Sequence, residues 1–370
     1  MNRTIAVLLL IFSLLPTSVP AKTRRAKNVI LLLADAGGIA TVHAASLVAY
    51  DAPQKLFVQS WPSLGLSDTS PYGGWVTDSA AGMTAIVAGQ KTWNGVISQG
   101  SDAVRGKQDG SVLKTILEYA EERGLSTGVL SNVLIADATP AACYGHANDR
   151  RKHGELFLQI FNPRFGDGVD IVFGIGWKRI AESARALGKD LDEVARQAKR
   201  PLFSSFTEAP DDATRALAVG DGDFDLAAAS KKAVRALSRN KKGFFLMIES
   251  DAHTDNPEKG LGRLIAFDKL IREIAGMVDP KETLLLFTAD HSFGLSVRGG
   301  KPGEPLLKGM AEWKGKPGSV HLPYLWVDSG HTAEEVLVAA TGPGAERVRG
   351  YMPNTELFRV MMAAYGWPAK

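Results

Sequence analysis

The feature that most constrains this chain is a set of short apolar runs without polar alternation. Residues 28–35 (NVILLLAD), 243–249 (GFFLMIE) and 283–290 (TLLLFTAD) are apolar almost throughout, and 125–131 (LSTGVLS) and 169–176 (VDIVFGIG) are similar in kind. A half-exposed antiparallel strand alternates apolar and polar residues. Continuous runs of this length suit strands buried on both faces, as in parallel sheets covered by helices. Helix-like stretches lie between them. Residues 111–123 (SVLKTILEYAEER) end at Gly124, and 260–277 carry apolar residues at helical spacing. A last helix, capped by Asn354 or Thr355, turns Leu357, Val360, Met361 and Ala364 inward. With no fixed-period repeat, the alternation predicts an α/β fold: a doubly wound α/β sandwich with a large, mostly parallel central sheet.

Three of these runs end in acids: Asp35, Glu249, and Asp290 with His291 next to it. An acid at one strand end is ordinarily a helix cap or turn former. Three such ends in a parallel sheet share one edge, the edge where α/β folds build their ligand sites.

Composition narrows the classes. With 45% apolar and 22% charged residues the chain is not disordered, and 43 basic against 40 acidic side chains give no field for nucleic acid. The one cysteine, Cys143, excludes an intramolecular disulfide. The chain opens with Arg3, an apolar run from Ile5 to Leu15, and Val19-Pro20-Ala21. That run is too short for the roughly 20 residues that span a bilayer, and the pattern reads as a cleaved signal peptide over 1–21. The expectation is a periplasmic or secreted protein with no membrane anchor after cleavage. Lys22, Arg24, Arg25 and Lys27 form a solvated mature terminus.

Seven histidines are few enough to weigh singly. His253 lies in ESDAH, His291 follows Asp290, and His331 opens GHT before the strand-like 336–340. Mixed imidazole and carboxylate ligation suits zinc, whereas all-oxygen sets suit magnesium. His43, His146, His153 and His321 have no comparable acidic company in sequence and read as ordinary surface or core residues. Ser79 lies in VTDSAAGMTA at the first turn of a helix of small residues ending at Gly89. It is either an N-cap or a nucleophile placed where the helix dipole favours an oxyanion. No histidine follows at elbow spacing and G-x-S-x-G is absent, so a metal ion would have to activate the hydroxyl.

In chain order, these segments resemble the alkaline phosphatase family across nearly the whole stretch from residue 22 onward. VTDSAAGMTAIVAGQKTWNG resembles the nucleophile segment, which implies that Ser79 is phosphorylated. NVILLLADAGG resembles the first metal strand, so Asp35 would bridge the second zinc and the magnesium. SNVLIADATPAACYGHANDRR implies Asp137 and Thr139 at the magnesium and Arg150 on the phosphate; FFLMIES adds Glu249 to the magnesium. TADHSFG implies Asp290 and His291 at the second zinc, SGHTAEEVLVAATGPGA implies His331 at the first, and NTELFRVMMA resembles the C-terminal helix. Taken alone, Arg150 is a surface residue of an Arg-Arg-Lys run. Asp78 either orients Arg150 at the substrate or is a helix-start acid.

Two departures stand out. The family motif D-G-M-G is here Asp35-Ala36-Gly37-Gly38. The family also spaces an Asp and a His further beyond the magnesium Glu, whereas Asp251 and His253 follow Glu249 by two and four positions. HTDNPEKGL still resembles the segment after the zinc His, which points to His253 as ligand with Asp251 as its carboxylate partner and Asp255 in reserve. The short chain implies one domain over 22–370 without a large crown insertion. The resemblance thus implies a secreted phosphomonoesterase with a phosphoserine intermediate, two zinc ions and one magnesium ion per subunit, phosphate monoester substrates and a homodimer. A metal-dependent phosphodiesterase or sulfatase is the competing enzyme. Ser79 in place of Thr, and the absence of C-x-P-x-R, argue against it. A non-catalytic exported metal- or phosphate-binding protein is the third reading, disfavoured because Ser79, Arg150 and every ligand type are retained.

Overall fold

The computed structural model describes residues 25–315 and 318–368, so the signal segment expected at 1–21 lies outside the described residues. The strands are β1 Asn28–Asp35, β2 Ser63–Asp68, β3 Ser126–Leu134, β4 Ile171–Ile175, β5 Leu202–Phe203, β6 Ala216–Gly220, β7 Phe244–Asp251, β8 Thr283–Thr288, β9 Ser292–Val297, β10 Ser319–His321, β11 Leu325–Thr332, β12 Val336–Thr341 and β13 Gly350–Pro353. The helices are α1 Ile39–Tyr50, α2 Ser79–Ala88, α3 Ile116–Glu122, α4 Ala138–Tyr144, α5 His153–Leu158, α6 Trp177–Arg185, α7 Leu191–Gln197, α8 Leu226–Leu237, α9 Pro257–Ala275 and α10 Thr355–Tyr365.

Among the described residues, ten strands form one sheet in the order β13-β2-β12-β8-β1-β7-β3-β4-β6-β5, and of these only β12 runs against its neighbours β8 and β2. The five runs singled out in the sequence are its contiguous centre, β8-β1-β7-β3-β4. β1 shows why they are apolar throughout. Val29, Leu31 and Leu33 pack into the core under α2, α3, α4 and α10, while Ile30, Leu32 and Ala34 pack into the opposite core under α1, α8 and α9. Each fully buried Leu or Ile contributes roughly 1.5–3 kcal/mol, so a polar residue on either face would be costly. The structure is the helix-covered, mostly parallel α/β sandwich expected from those runs.

Local signals account for several helix starts and correct one. The helix expected over 111–123 begins only at Ile116. Thr115 and Glu118 close a reciprocal capping box there, and the backbone before it is not helical. α9 starts where Asn256 accepts from the Lys259 N–H and Pro257 occupies the first turn. α10 follows Asn354, whose side chain makes no capping bond, and Leu357, Val360, Met361 and Ala364 are buried as expected. A second sheet, β10-β11-β9, is antiparallel, and the β11–β9 register shifts between Val327 and His331. Such an irregularity re-aims a strand. Here it lies immediately before His331.

Candidate active site

The adjacency of β7, β1 and β8 brings the strand-end acids together. Asp35, last in β1, is in register with Asp251, last in β7, and β8 on the other side of β1 leads into Asp290 and His291. Asp35 Oδ1 lies 3.3 Å from His291 Nε2, and Asp290 Oδ2 lies 3.5 Å from the same nitrogen. Ala36, in the left-handed region at φ 64°, donates its N–H to Asp290 Oδ1 at 3.3 Å. The Gly of the resembled motif would take that conformation without strain, whereas Ala bears a cost of about 1 kcal/mol.

Ser79 opens α2, all ten residues of which are buried. Its Oγ is 3.3 Å from His291 Nε2. Ser79 is not the helix cap: Asp78 is, accepting from the Ala81 N–H at 3.1 Å. The small residues of α2 permit a close approach, since a methyl on Gly82 would sit 2.6 Å from the Asp290 carbonyl oxygen.

Ring tautomers are set by backbone carbonyls. His291 Nδ1 lies 3.0 Å from the Ser292 carbonyl, and His331 Nδ1 lies 2.8 Å from that of Thr77. A carbonyl only accepts, so each Nδ1 carries a proton and each Nε2 is the atom left for the site. His291 Nε2 faces two carboxylates, an arrangement that calls for a proton on that nitrogen or a metal cation in its place.

Among the described residues, two three-residue sets place their ligand atoms within 4.8 Å of one another: Asp35, Asp290 and His291, and His253, His291 and His331. The first is the set that the resemblance assigns to the second zinc. The second contains both histidines assigned to the first zinc. Asp251 is in neither. Its Oδ1 accepts from the His253 N–H at 3.0 Å and faces His253 Nδ1 at 2.9 Å, and Arg263 donates to its Oδ2. Asp255 accepts from Ser329 Oγ instead. Glu249 Oε2 accepts from Ser131 Oγ at 2.5 Å, and Thr139, within α4, is buried.

Burial and charge in this cluster strain every titration. Burial alone would raise Asp35. The close approach of His291 Nε2 and the charges of His253, His291 and Arg150 hold it well below the usual carboxylate range. Burial and the Asp35 charge push Asp290 up to about 6 and Glu249 well above the ordinary value. Burial would lower His253, but its bond to Asp251 and the charges of Asp35, Asp251 and Asp290 bring it up to about 9. His291 is raised despite burial, through Asp290 and Asp35. His331 is lowered by burial and by His291. Asp35 Oδ1, Asp290 Oδ2 and Thr139 Oγ1 are buried without a hydrogen-bond partner. Orphaned acceptors among competing carboxylates and lone-pair imidazoles form a donor set suited to divalent cations.

Arg150 closes the site. Its guanidinium donates to Asp78 Oδ2 at 3.1 Å and to Asp137 Oδ1 at 3.0 Å, which spans the starts of α2 and α4. Asp137 also accepts from the Ala138 N–H. Asp78 thus both caps α2 and orients Arg150, so the two roles left open by the sequence coexist.

Sequence reading missed several partners. Ser131 is the β3 register partner of Glu249, so strand pairing would have found it. Arg263, twelve positions after Asp251, had no local signal. His146 and His321 do have acidic company, at 2.8 Å from Glu118 and 2.9 Å from Asp328, contributed by residues distant in sequence or on a neighbouring strand.

The chain is similar to known proteins along most of its length. A sequence model of the family described as Alkaline phosphatase matches residues 26–209 and 211–319. Streptomycin-6-phosphate phosphatase of Streptomyces griseus is 30% identical, over 92% of this chain and 91% of that protein. Alkaline phosphatase of Escherichia coli K12 is 29% identical, over 92% and 86%. Among solved structures, a variant of TAB5 alkaline phosphatase with magnesium bound in its M3 site superposes with a TM-score of 0.76 at 25% identity, covering 94% of this chain and 100% of that one. The enzyme from Thermus thermophilus gives a TM-score of 0.77 at 20% identity, covering 94% and 93%. With its family motifs in order and its acids and histidines converging on Ser79, this chain belongs to the alkaline phosphatase family and is a phosphatase hydrolase.

Proposed function

We propose that the chain is an exported phosphomonoesterase that passes the phosphoryl group of a phosphate monoester to Ser79 and then to water. The observation that carries this reading is the convergence of Ser79 Oγ on the Asp35–Asp290–His291 cluster, 3.3 Å from His291 Nε2, with Arg150 held at the mouth by two carboxylates. Asp35, Asp290 and His291 would hold one zinc. His253, His331 and Asp251 would hold a second, with Asp251 exchanging its bond to Arg263 for the metal. Glu249, Asp137, Thr139 and Asp35 would hold magnesium. Bound divalent cations neutralise phosphate charge and lower the pKa of coordinated oxygen.

The chain supplies the rest. Arg150 presents a planar fork to two nonbridging oxygens, and Asp78 and Asp137 fix its plane. Ser79, on the first turn of α2, attacks from a position where the helix N-terminus favours negative charge. The bond from Ser79 Oγ to phosphorus forms as the ester P–O bond breaks, and the departing alcohol takes up a proton. Water then attacks phosphorus and Ser79 leaves as the hydroxyl. The 30% identical relative is, by its name, a phosphatase of a phosphorylated small molecule, which supports monoesters as the substrate class.

This reading carries with it export by way of residues 1–21, one catalytic domain over 22–370, and a homodimer. The test is steady-state hydrolysis of a chromogenic monoester beside the matching diester, with bound metals quantified in the same sample. The expected result is preference for the monoester at about two zinc and one magnesium per chain. Preference for the diester, or full turnover by metal-free protein, would overturn it.

A further inference from the structure

We propose that the buried pair Glu118–His146 is a positioning device for Arg150, holding the segment that carries the arginine against the helix that carries Ser79. The proposal rests on the reading of Arg150 as the phosphate-binding residue. The pair lies outside the metal-ligand cluster, and its side chains are 2% and 0% exposed.

Every polar group of His146 is engaged. Its Nε2 lies 2.8 Å from Glu118 Oε1, and its Nδ1 lies 2.8 Å from the Ser98 carbonyl. The Gln159 amide brackets its backbone, accepting from the N–H at 3.0 Å and donating to the carbonyl at 2.9 Å. Because a carbonyl only accepts, Nδ1 bears a proton, and one further proton is shared between Nε2 and Oε1. Glu118 Oε2 accepts from the Thr115 N–H at 2.9 Å, and Thr115 Oγ1 donates to the Cys143 carbonyl at the end of α4. The carboxylate therefore ties α3 to the end of α4 and to the segment beyond it.

Ser98 is the second half of the device. It is a buried non-glycine residue in the left-handed region at φ 43°, a conformation that persists only where its surroundings impose it. Its N–H donates to Thr84 Oγ1 on α2 at 2.9 Å, and its hydroxyl donates to the Ala142 carbonyl of α4 at 2.7 Å. Its carbonyl accepts from Leu113 N–H as well as from His146. From this anchor the chain pairs Ile97 with Ala147 in both directions, and the Arg150 N–H donates to the Gly95 carbonyl at 2.7 Å. Asn94 in turn accepts from the Asp78 N–H at 3.0 Å. Residues 94–98 thus bridge the start of α2 and the arginine segment, and His146 locks that bridge from below.

The mechanism uses neither residue of the pair, yet their placement fixes how far Arg150 can move from Ser79. The test is a double-mutant cycle read by calorimetric binding of inorganic phosphate to the metal-replete protein, alongside kcat and KM for a monoester. His146→Asn keeps an amide within reach of the Ser98 carbonyl and loses Glu118, so it is gentler than His146→Ala. It should weaken phosphate binding by about fivefold in the wild-type background and by less than about twofold when Arg150→Ala is already present. Glu118→Gln, which can accept from Thr115 and donate to a neutral Nε2, should bind phosphate as wild type does. Equal loss from His146→Asn with and without Arg150 would overturn the positioning role and leave the functional reading intact. If Arg150→Ala alone does not weaken phosphate binding, the reading of Arg150 falls and takes this proposal with it.

Discussion

Zinc binding should expel protons, by an amount that the geometry sets. In the metal-free protein His253 titrates at about 9, raised by its bond to Asp251 and by the carboxylates around it. Only a neutral imidazole ligates a metal, so at neutral pH zinc must displace the proton that His253 carries. Removing it at pH 7, two units below that value, costs about 3 kcal/mol, or roughly a hundredfold in affinity. The apparent zinc affinity should therefore rise about tenfold per pH unit between pH 6.5 and 8.5 from His253 alone. Asp290, at about 6, adds a further proton only below that window. The assay is calorimetry on stripped protein with chelator-buffered zinc, repeated in two buffers of different protonation enthalpy. At least about one proton should be released per chain at pH 7. A pH-independent affinity with no proton release would mean that His253 does not ligate the metal, and the two-histidine site would have to be abandoned.

Other outcomes follow from single side chains. Ser79→Ala should eliminate phosphoenzyme and lower kcat by about a thousandfold or more, checked by phosphate labelling and steady-state kinetics. Arg150→Lys keeps the charge but loses the fork held by Asp78 and Asp137, so kcat/KM for a monoester should fall by about ten- to a hundredfold. Asp251→Asn should reduce bound zinc and Asp255→Asn should not, because Asp251 lies against the His253 ring whereas Asp255 bonds Ser329; metal analysis of both variants decides between the carboxylates. Glu121, on α3, is pushed up to about 8 by burial, against 4.5 for an ordinary glutamate. The unfolded chain gives up that proton first, so folding stability falls as pH rises from about 4.5 to about 8, by at most about 5 kcal/mol. Urea midpoints at pH 5 and pH 9 should differ less in Glu121→Gln than in wild type.

The parts of this protein legible in its sequence are those whose physics is local. Uninterrupted apolar runs mark the five central strands because both faces of each are covered, and the acids near the ends of three of them mark the site, although β7 runs two residues past Glu249 to end at Asp251. The small residues after Ser79 mark α2 because nothing larger than Gly82 fits beneath Asp290. Other features depend on pairing between distant residues. The sequence around His146 gives no sign of Glu118, which lies 28 positions earlier. The partnership of Asp251 with Arg263 forms only when α9 packs beside β7. The late start of α3 could have been read from Thr115 and Glu118, a local signal that the apolar pattern upstream of it obscured. A strand such as β5, two residues long, has no period to read, and the strand-like run at 336–340 gives no sign that β12 runs against its neighbours.

The ladder β7-β1-β8 has a consequence for how such a catalyst can change. Asp35 and Asp251 hang from paired backbones whose separation is fixed by amide hydrogen bonding at about 4.8 Å, a length that no side-chain replacement alters, and Asp290 follows directly after β8 on the other side of β1. The sheet acts as a ruler ruled before any loop is drawn. Insertions and deletions in the loops beyond these strands can redraw what surrounds the reacting phosphorus while the gauge beneath it stays constant.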